Sequence, residues 1–379
     1  MDFDFRWLLL IIPIAFALGF LASRLDLRQA KRDPRDAPQA YFKGLNLLLN
    51  EQQDKAIDAF IEAVQLDPDT AELHFALGNL FRRRGETERA VRVHEHLLRR
   101  GDLPASERHR AQHALAQDFF KAGLFDRAEA AYRALKGSAY ELEAELALLS
   151  LYERSRDWTH AGEIAHSLES RGTGSFASRR AHYLCELALQ TRVRDSDAAL
   201  AQLKQAQLLA PAHPRAHVLE GQWHLAANRP DLAMKSFEAL LSVQSSSFNL
   251  VALDYAKAAL AAGRVEVALQ ILRDRHQSEP TLAVVQAINL LAPQNQEQEL
   301  MAHLARQPSL NATRSVLAPW LEATRPETAP LLLKTIDIAA KPLMRYRCAA
   351  CGFEAAHYFW QCPGCLSWDS FPPRPVEEL

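Results

Sequence analysis

Few stretches of this chain alternate apolar and polar residues with period two, the mark of a half-buried strand, so its body reads as all-α. What recurs is a longer pattern. Gly44 is followed by Leu47, Ala56, Phe60, Ala63 and Pro68; thirty-four residues on, Gly78 is followed by Phe81, Gly85 and Ala90. One alanine returns at Ala56, Ala90, Ala128, Ala161, Ala199, Ala233 and Ala268, at intervals of 34, 38, 33, 38, 34 and 35. A partner position without bulk recurs at Gly44, Gly78, Ala116, Gly221 and Ala256. Small residues on both members of a helix pair let two antiparallel backbones approach closely. Phe60, Tyr132, Phe237 or Leu272 then fills the gap one turn later. Gly85, Gly123 and Gly263 are placed to make left-handed turns between helices, and Pro68, Pro211 and Pro280 to end repeats. Seven passes are legible, the fourth and fifth degenerate. From Thr281 to about Ala340 the pattern fades into one or two divergent helical hairpins.

The first 23 residues are different. Seventeen residues from Trp7 to Ser23 carry no charge, near the lower limit for a spanning helix at about 1.5 Å per residue against a core of about 30 Å. Arg6 and Arg24 flank the stretch and can snorkel. Ala15-Phe16-Ala17 offers a signal-peptidase pattern, but Met-Asp-Phe-Asp-Phe-Arg is not the basic leader such a peptide needs, so an uncleaved anchor is expected. Arg24, Arg28, Lys31, Arg32 and Arg35 follow the span against only Arg6 before it, which places the rest of the chain on the cytoplasmic side.

Four of the five cysteines lie within eighteen residues, as Cys348-x2-Cys351-x10-Cys362-x2-Cys365. Two C-x-x-C turns each aim two sulfurs at one ion, the demand of a tetrahedral four-thiolate site, with Gly352 and Gly364 permitting the turns. Phe353, Tyr358, Phe359 and Trp360 suggest two short strands between the pairs, closed over by Trp368 and Phe371. So small a unit depends on its metal for stability. Spacing leaves zinc and iron both open. A reducing compartment suits thiolates kept for metal. A thioredoxin-type pair would need a βαβ setting that is missing. Cys185, alone in Tyr183-Leu184-Cys185-Glu186-Leu187, is expected to be a buried small hydrophobe.

Composition adds exclusions. Only 14 glycines in 379 residues argue against a sandwich or barrel, and 44 basic against 46 acidic residues give no electrostatic case for nucleic acid. Arg82-Arg83-Arg84 and Arg99-Arg100 read as solvated faces, with headgroup contact the minor alternative, and His94-Glu95-His96 likewise as solvated. No catalytic triad, phosphate loop or dinucleotide fingerprint emerges, so no enzymatic activity is expected.

The repeat resembles the tetratricopeptide repeat. The anchor, the stretches LNLLLNEQQDKAIDAF, LGNLFRRRGETERAVRVHEHLL, AGLFDRAEAAY and HYLCELALQ, and the terminal YRCAACGF…YFWQCPGC together resemble the lipopolysaccharide assembly protein B family over nearly the whole chain, weakest over 281–340. The expected architecture is an N-terminal transmembrane helix (1–23), a linker (24–38), a tetratricopeptide-repeat superhelix (39–280), divergent hairpins (281–340) and a rubredoxin-like knuckle (341–379). The resemblance implies a Gram-negative inner-membrane regulator of lipopolysaccharide synthesis. Its partners would be other inner-membrane lipopolysaccharide proteins, a membrane AAA protease of the FtsH type, and the deacetylase that commits precursor to lipid A. One metal, iron or zinc, would be held by Cys348, Cys351, Cys362 and Cys365. The alternative is a membrane-tethered, rubredoxin-like electron-transfer protein docked through its repeats; a third reading is a periplasmic factor after signal cleavage.

Overall fold

A computed structural model describes residues 36–379, with side chains from Gln39 onward; the expected membrane anchor lies outside the described residues. Among the described residues no helix is long and apolar enough to cross a membrane. The described residues divide into two compact units, residues 36–157 and 158–379.

In the first unit α1 (Asp36–Leu49) pairs with α2 (Gln53–Leu66), α3 (Ala71–Arg84) with α4 (Thr87–Arg99), and α5 (Ala105–Lys121) with α6 (Phe125–Arg133); α7 (Glu141–Ser155) follows. The recurrent small residues are where the backbones meet. A methyl group added at Gly44 would lie 2.7 Å from the Phe60 ring, so glycine is the residue that lets α1 lie on α2. Gly85 and Gly123 take φ of 84° and 75°, closing the α3–α4 and α5–α6 turns as expected. The fourth turn is degenerate in sequence because Arg156, with φ of 59°, occupies the left-handed position in place of glycine.

The same packing recurs in the second unit. After α8 (Trp158–Ser170), α9 (Ala177–Thr191) pairs with α10 (Ser196–Leu209), α11 (Arg215–Ala226) with α12 (Pro230–Val243), and α13 (Ala252–Ala261) with α14 (Val265–Ser278). Asp195 starts α10 by accepting the amides of Asp197 and Ala198 at 3.0 and 2.9 Å. A methyl group at Gly221 would sit 2.3 Å from Phe237. All seven recurrent alanines, Ala56 through Ala268, have no exposed surface. Cys185 is a buried thiol in the α9–α10 core, its pKa pushed up to about 12 by burial. Then come α15 (Leu282–Leu291), α16 (Gln296–Leu304), α17 (Leu310–Thr324) and α18 (Ala329–Ala340), and a small two-stranded terminal element.

Two sequence readings need correction. His94 is not solvated: it is fully buried, and its Nδ1 donates to Asp118, itself fully buried. Arg82 is not a solvated arginine either, since it donates to Asp118 Oδ1 at 2.8 Å, to Asn79 and to the Ala114 carbonyl. Burying a carboxylate is unfavourable unless it is paired, and Asp118 takes both of its side-chain donors, Arg82 and His94, from one repeat upstream. Arg83, Arg84, Arg99 and His96 remain exposed as read.

Candidate metal centre and its seat

The terminal element is two copies of one turn. Strands β1 (Tyr346–Arg347) and β2 (Glu354–Ala355) pair antiparallel, Tyr346 against Ala355, and carry the first cysteine pair at their tip. A bridge between Gln361 and Trp368 carries the second. In the first turn Cys348 N–H donates to Phe353 O and Gly352 N–H to Cys348 O, both 2.9 Å; in the second, Cys362 N–H donates to Ser367 O at 2.9 Å and Leu366 N–H to Cys362 O at 2.8 Å. The residue after the second cysteine of each pair takes the left-handed conformation: Gly352 with φ of 77°, Leu366 with φ of 61°. Gly364 therefore does not supply the second turn, contrary to the sequence reading. The strands also differ from expectation, because they flank the first cysteine pair instead of both lying between the pairs.

These turns bring the four predicted residues together. Cys348 Sγ lies 3.8 Å from Cys365 Sγ, Cys351 Sγ lies 3.7 Å from Cys362 Sγ, and all four sulfurs fall within 4.8 Å of one another. A tetrahedral ion with metal–sulfur bonds of about 2.3 Å spaces its sulfurs about 3.8 Å apart, so the donor set fits one metal. Cys348 and Cys362 are buried, Cys351 and Cys365 exposed. Burial opposes ionisation of Cys348, but the Ser370 hydroxyl at 3.3 Å and the amides of Cys351 and Ala350 outweigh it and lower its pKa to about 6. The Ser367 hydroxyl and amide lower that of Cys365. Cys351 accepts the Phe353 amide, yet local desolvation of its sulfur and the three neighbouring sulfurs push it up to about 12, the repulsion that a divalent ion relieves.

The second turn also carries the face that seats the element on the repeats of its own unit. Trp368 does not close over the knuckle as expected; it stacks on His182 of α9, ring centres 4.3 Å apart, and meets Trp158 edge-on at 6.0 Å. Phe371 does close over the cysteines, packed with Tyr346 and Tyr358. His182 is fully buried, with Nε2 3.0 Å from both oxygens of Asp369 and 3.0 Å from His213 Nε2. Arg215 donates to His182 Nδ1 at 3.3 Å and to Glu186 at 2.6 Å. Because Arg215 can only donate, His182 carries its proton on Nε2 and gives it to Asp369. Burial lowers the pKa of His182 despite Asp369, and burial together with His182 lowers that of His213 to about 3. Asp369, for which burial favours the acid, is held below its ordinary value by His182 and His213. A cavity of about 580 Å³ lies beside this seat, lined in part by His213, Tyr358, Trp360 and Asp369.

The tail fastens a second edge. Glu377 accepts the Leu310 amide at 2.6 Å and the Ser309 hydroxyl at 2.9 Å, capping α17. Glu378 accepts the first amide of α15, Leu282, at 2.6 Å. Arg374 pairs with Glu279 at 3.2 Å. Carboxylates at helix N-termini satisfy amides that have no intrahelical partner. None of His182, His213, Arg215, Asp369, Glu377 or Glu378 was singled out from the sequence. Each is an ordinary surface-type residue whose partner lies far away in the chain.

Comparison with known proteins agrees with this architecture. Residues 346–373 match the rubredoxin metal binding domain, residues 44–92 the TPR repeat, and residues 191–249 the tetratricopeptide repeat. Lipopolysaccharide assembly protein B of Escherichia coli K12 is 29% identical over 380 residues, covering 97% of each chain. Its counterpart from Haemophilus influenzae is 28% identical over 402 residues, covering 98% of each. With the repeats, the knuckle and their order shared from end to end, this chain is similar to lipopolysaccharide assembly protein B over nearly its whole length.

Proposed function

We propose that this protein is a non-enzymatic scaffold that regulates lipopolysaccharide biosynthesis from the cytoplasmic face of the inner membrane. Residues 7–23 hold it at the bilayer. Its repeats grip a client, the deacetylase that commits precursor to lipid A, and present it to a membrane AAA protease. The metal knuckle is a structural cap on the repeat array. The observation that carries the lipopolysaccharide role is the similarity to lipopolysaccharide assembly protein B across repeats and knuckle alike. The structural role of the metal is supported by how its second turn is used: Trp368 and Asp369 are engaged with α9, within the same unit. No observation favours the electron-transfer alternative. Tethering supplies high effective concentration at the membrane, so location is part of the mechanism.

The test is replacement of the chromosomal gene by a form lacking residues 1–23. Deacetylase half-life, followed by immunoblot after a translation block, should lengthen to that of the null strain although the truncated protein is present and folded. Normal turnover with the truncated form would refute the tethered-adaptor reading.

A further inference from the structure

We infer that α1 docks on the surface of an anionic bilayer through Phe42, Leu45 and Leu49, so that the first repeat lies against the membrane. This inference rests on the proposed anchor and goes beyond it. Helix α1 buries Ala40 and Gly44 against α2, but leaves Phe42 68%, Leu45 36% and Leu49 77% exposed. At spacings of three and four these residues share one face of a helix. Lys43, the one charged side chain among the described residues of α1, points elsewhere and pairs with Glu62 at 3.7 Å. An apolar stripe without acids, on a helix otherwise satisfied by its partner, needs a cover.

The chain that precedes the helix says what kind. Residues 24–35 hold Arg24, Arg28, Lys31, Arg32 and Arg35 against Asp26 and Asp33, a net positive segment that anionic headgroups attract. That segment ends where α1 begins. From Ser23 to Asp36 the link spans at most about 45 Å when fully extended, so the stripe stays within reach of the surface in which the anchor ends. An apolar stripe with adjacent bases is the pattern of a helix lying in the headgroup layer.

The experiment uses the full chain, metal-loaded, in vesicles of phosphatidylcholine with or without about 30% phosphatidylglycerol as the anionic lipid. A photoreactive p-benzoylphenylalanine is placed at Phe42, Leu49, Ile11 or Val193, one per variant, and adducts are identified by mass spectrometry. Lipid adducts are expected at positions 42 and 49, about fivefold or more abundant with phosphatidylglycerol, and none at exposed Val193. Lipid adducts at position 11 but none at 42 and 49 would overturn the docking while leaving the anchor intact. No lipid at position 11 would overturn the anchor, and positions 42 and 49 would then still decide the docking by themselves. Adducts at 42 and 49 to a second copy of the chain would overturn it in favour of self-association.

Discussion

Two buried histidines in this molecule solve one electrostatic problem in two ways. His94 in the first unit and His182 in the second each give a ring N–H to a carboxylate, with an arginine alongside. In the first, all partners belong to neighbouring repeats: Arg82 is 36 residues and His94 24 residues before Asp118, which is fully buried. In the second, the carboxylate comes from a turn 187 residues away and stays half-exposed. There the arginine bonds the imidazole and Glu186 instead of the carboxylate. The first cluster is a brace inside the array; the second is a latch that needs another element already folded.

The largest expected difference is in metal dependence. Structural zinc in small thiolate sites contributes about 10–16 kcal/mol to folding, and the turn that presents Asp369 and Trp368 is shaped by Cys362 and Cys365. Stripping the metal should expose the amides of residues 346–371 to hydrogen exchange and release His182, while α4, with His94, keeps its protection. Retained protection across 346–371 after verified metal removal would mean that the latch stands without the ion.

Removing the carboxylates separates the clusters next. Asp118→Ala leaves a buried histidine and a half-buried arginine without their partner and should cost about 3–5 kcal/mol in urea unfolding. Asp369→Ala, at a half-exposed site, should cost about 1–2 kcal/mol. Equal losses would show that the latch is as buried in solution as the brace.

The contrast also explains what could be read from the residues beforehand. Ala56, Ala90 and their successors repeat because every helix pair makes the same close approach, so periodicity revealed them and all are fully buried. Cys348, Cys351, Cys362 and Cys365 were visible because two turns of identical geometry impose one spacing on an uncommon residue. His94 was misread because its partner sits in the next repeat, where Asp118 occupies a position with no recurrent identity. Leu366 was missed as the left-handed residue of the second turn, since a leucine with positive φ gives no compositional signal, unlike Gly352. His182, His213 and Asp369 meet only once the chain has folded, and no local pattern marks them.

Gly78 is where the brace and the repeat pattern touch. A methyl group there would lie 2.5 Å from His94 Nε2 and Cε1, and the ring cannot swing away without leaving Asp118. Gly78→Ala should therefore cost about 1–3 kcal/mol by overpacking. Gly101→Ala, with nothing within 4 Å of the new methyl, should stay within about 0.5 kcal/mol. A neutral Gly78→Ala would mean that α3 and α4 separate easily and that the brace is slack.

Acid should weaken the latch, and the sign follows from the direction of the shift. His213 titrates near 6.5 in the unfolded chain but near 3 when buried against His182. Below pH 6.5 the unfolded chain therefore binds a proton that the folded form refuses, and stability is lost as pH falls toward the folded value. Between pH 7.5 and 5.5 this one group should remove about 1.4 kcal/mol. Metal release and the other buried histidines also respond to acid, so the measurement is a difference: urea unfolding of His213→Asn against the parent at both values. The variant should lose about 1.4 kcal/mol less over that interval. Parallel losses would place His213 in contact with water, with the ring partly withdrawn from His182 and the seat looser than the brace around His94.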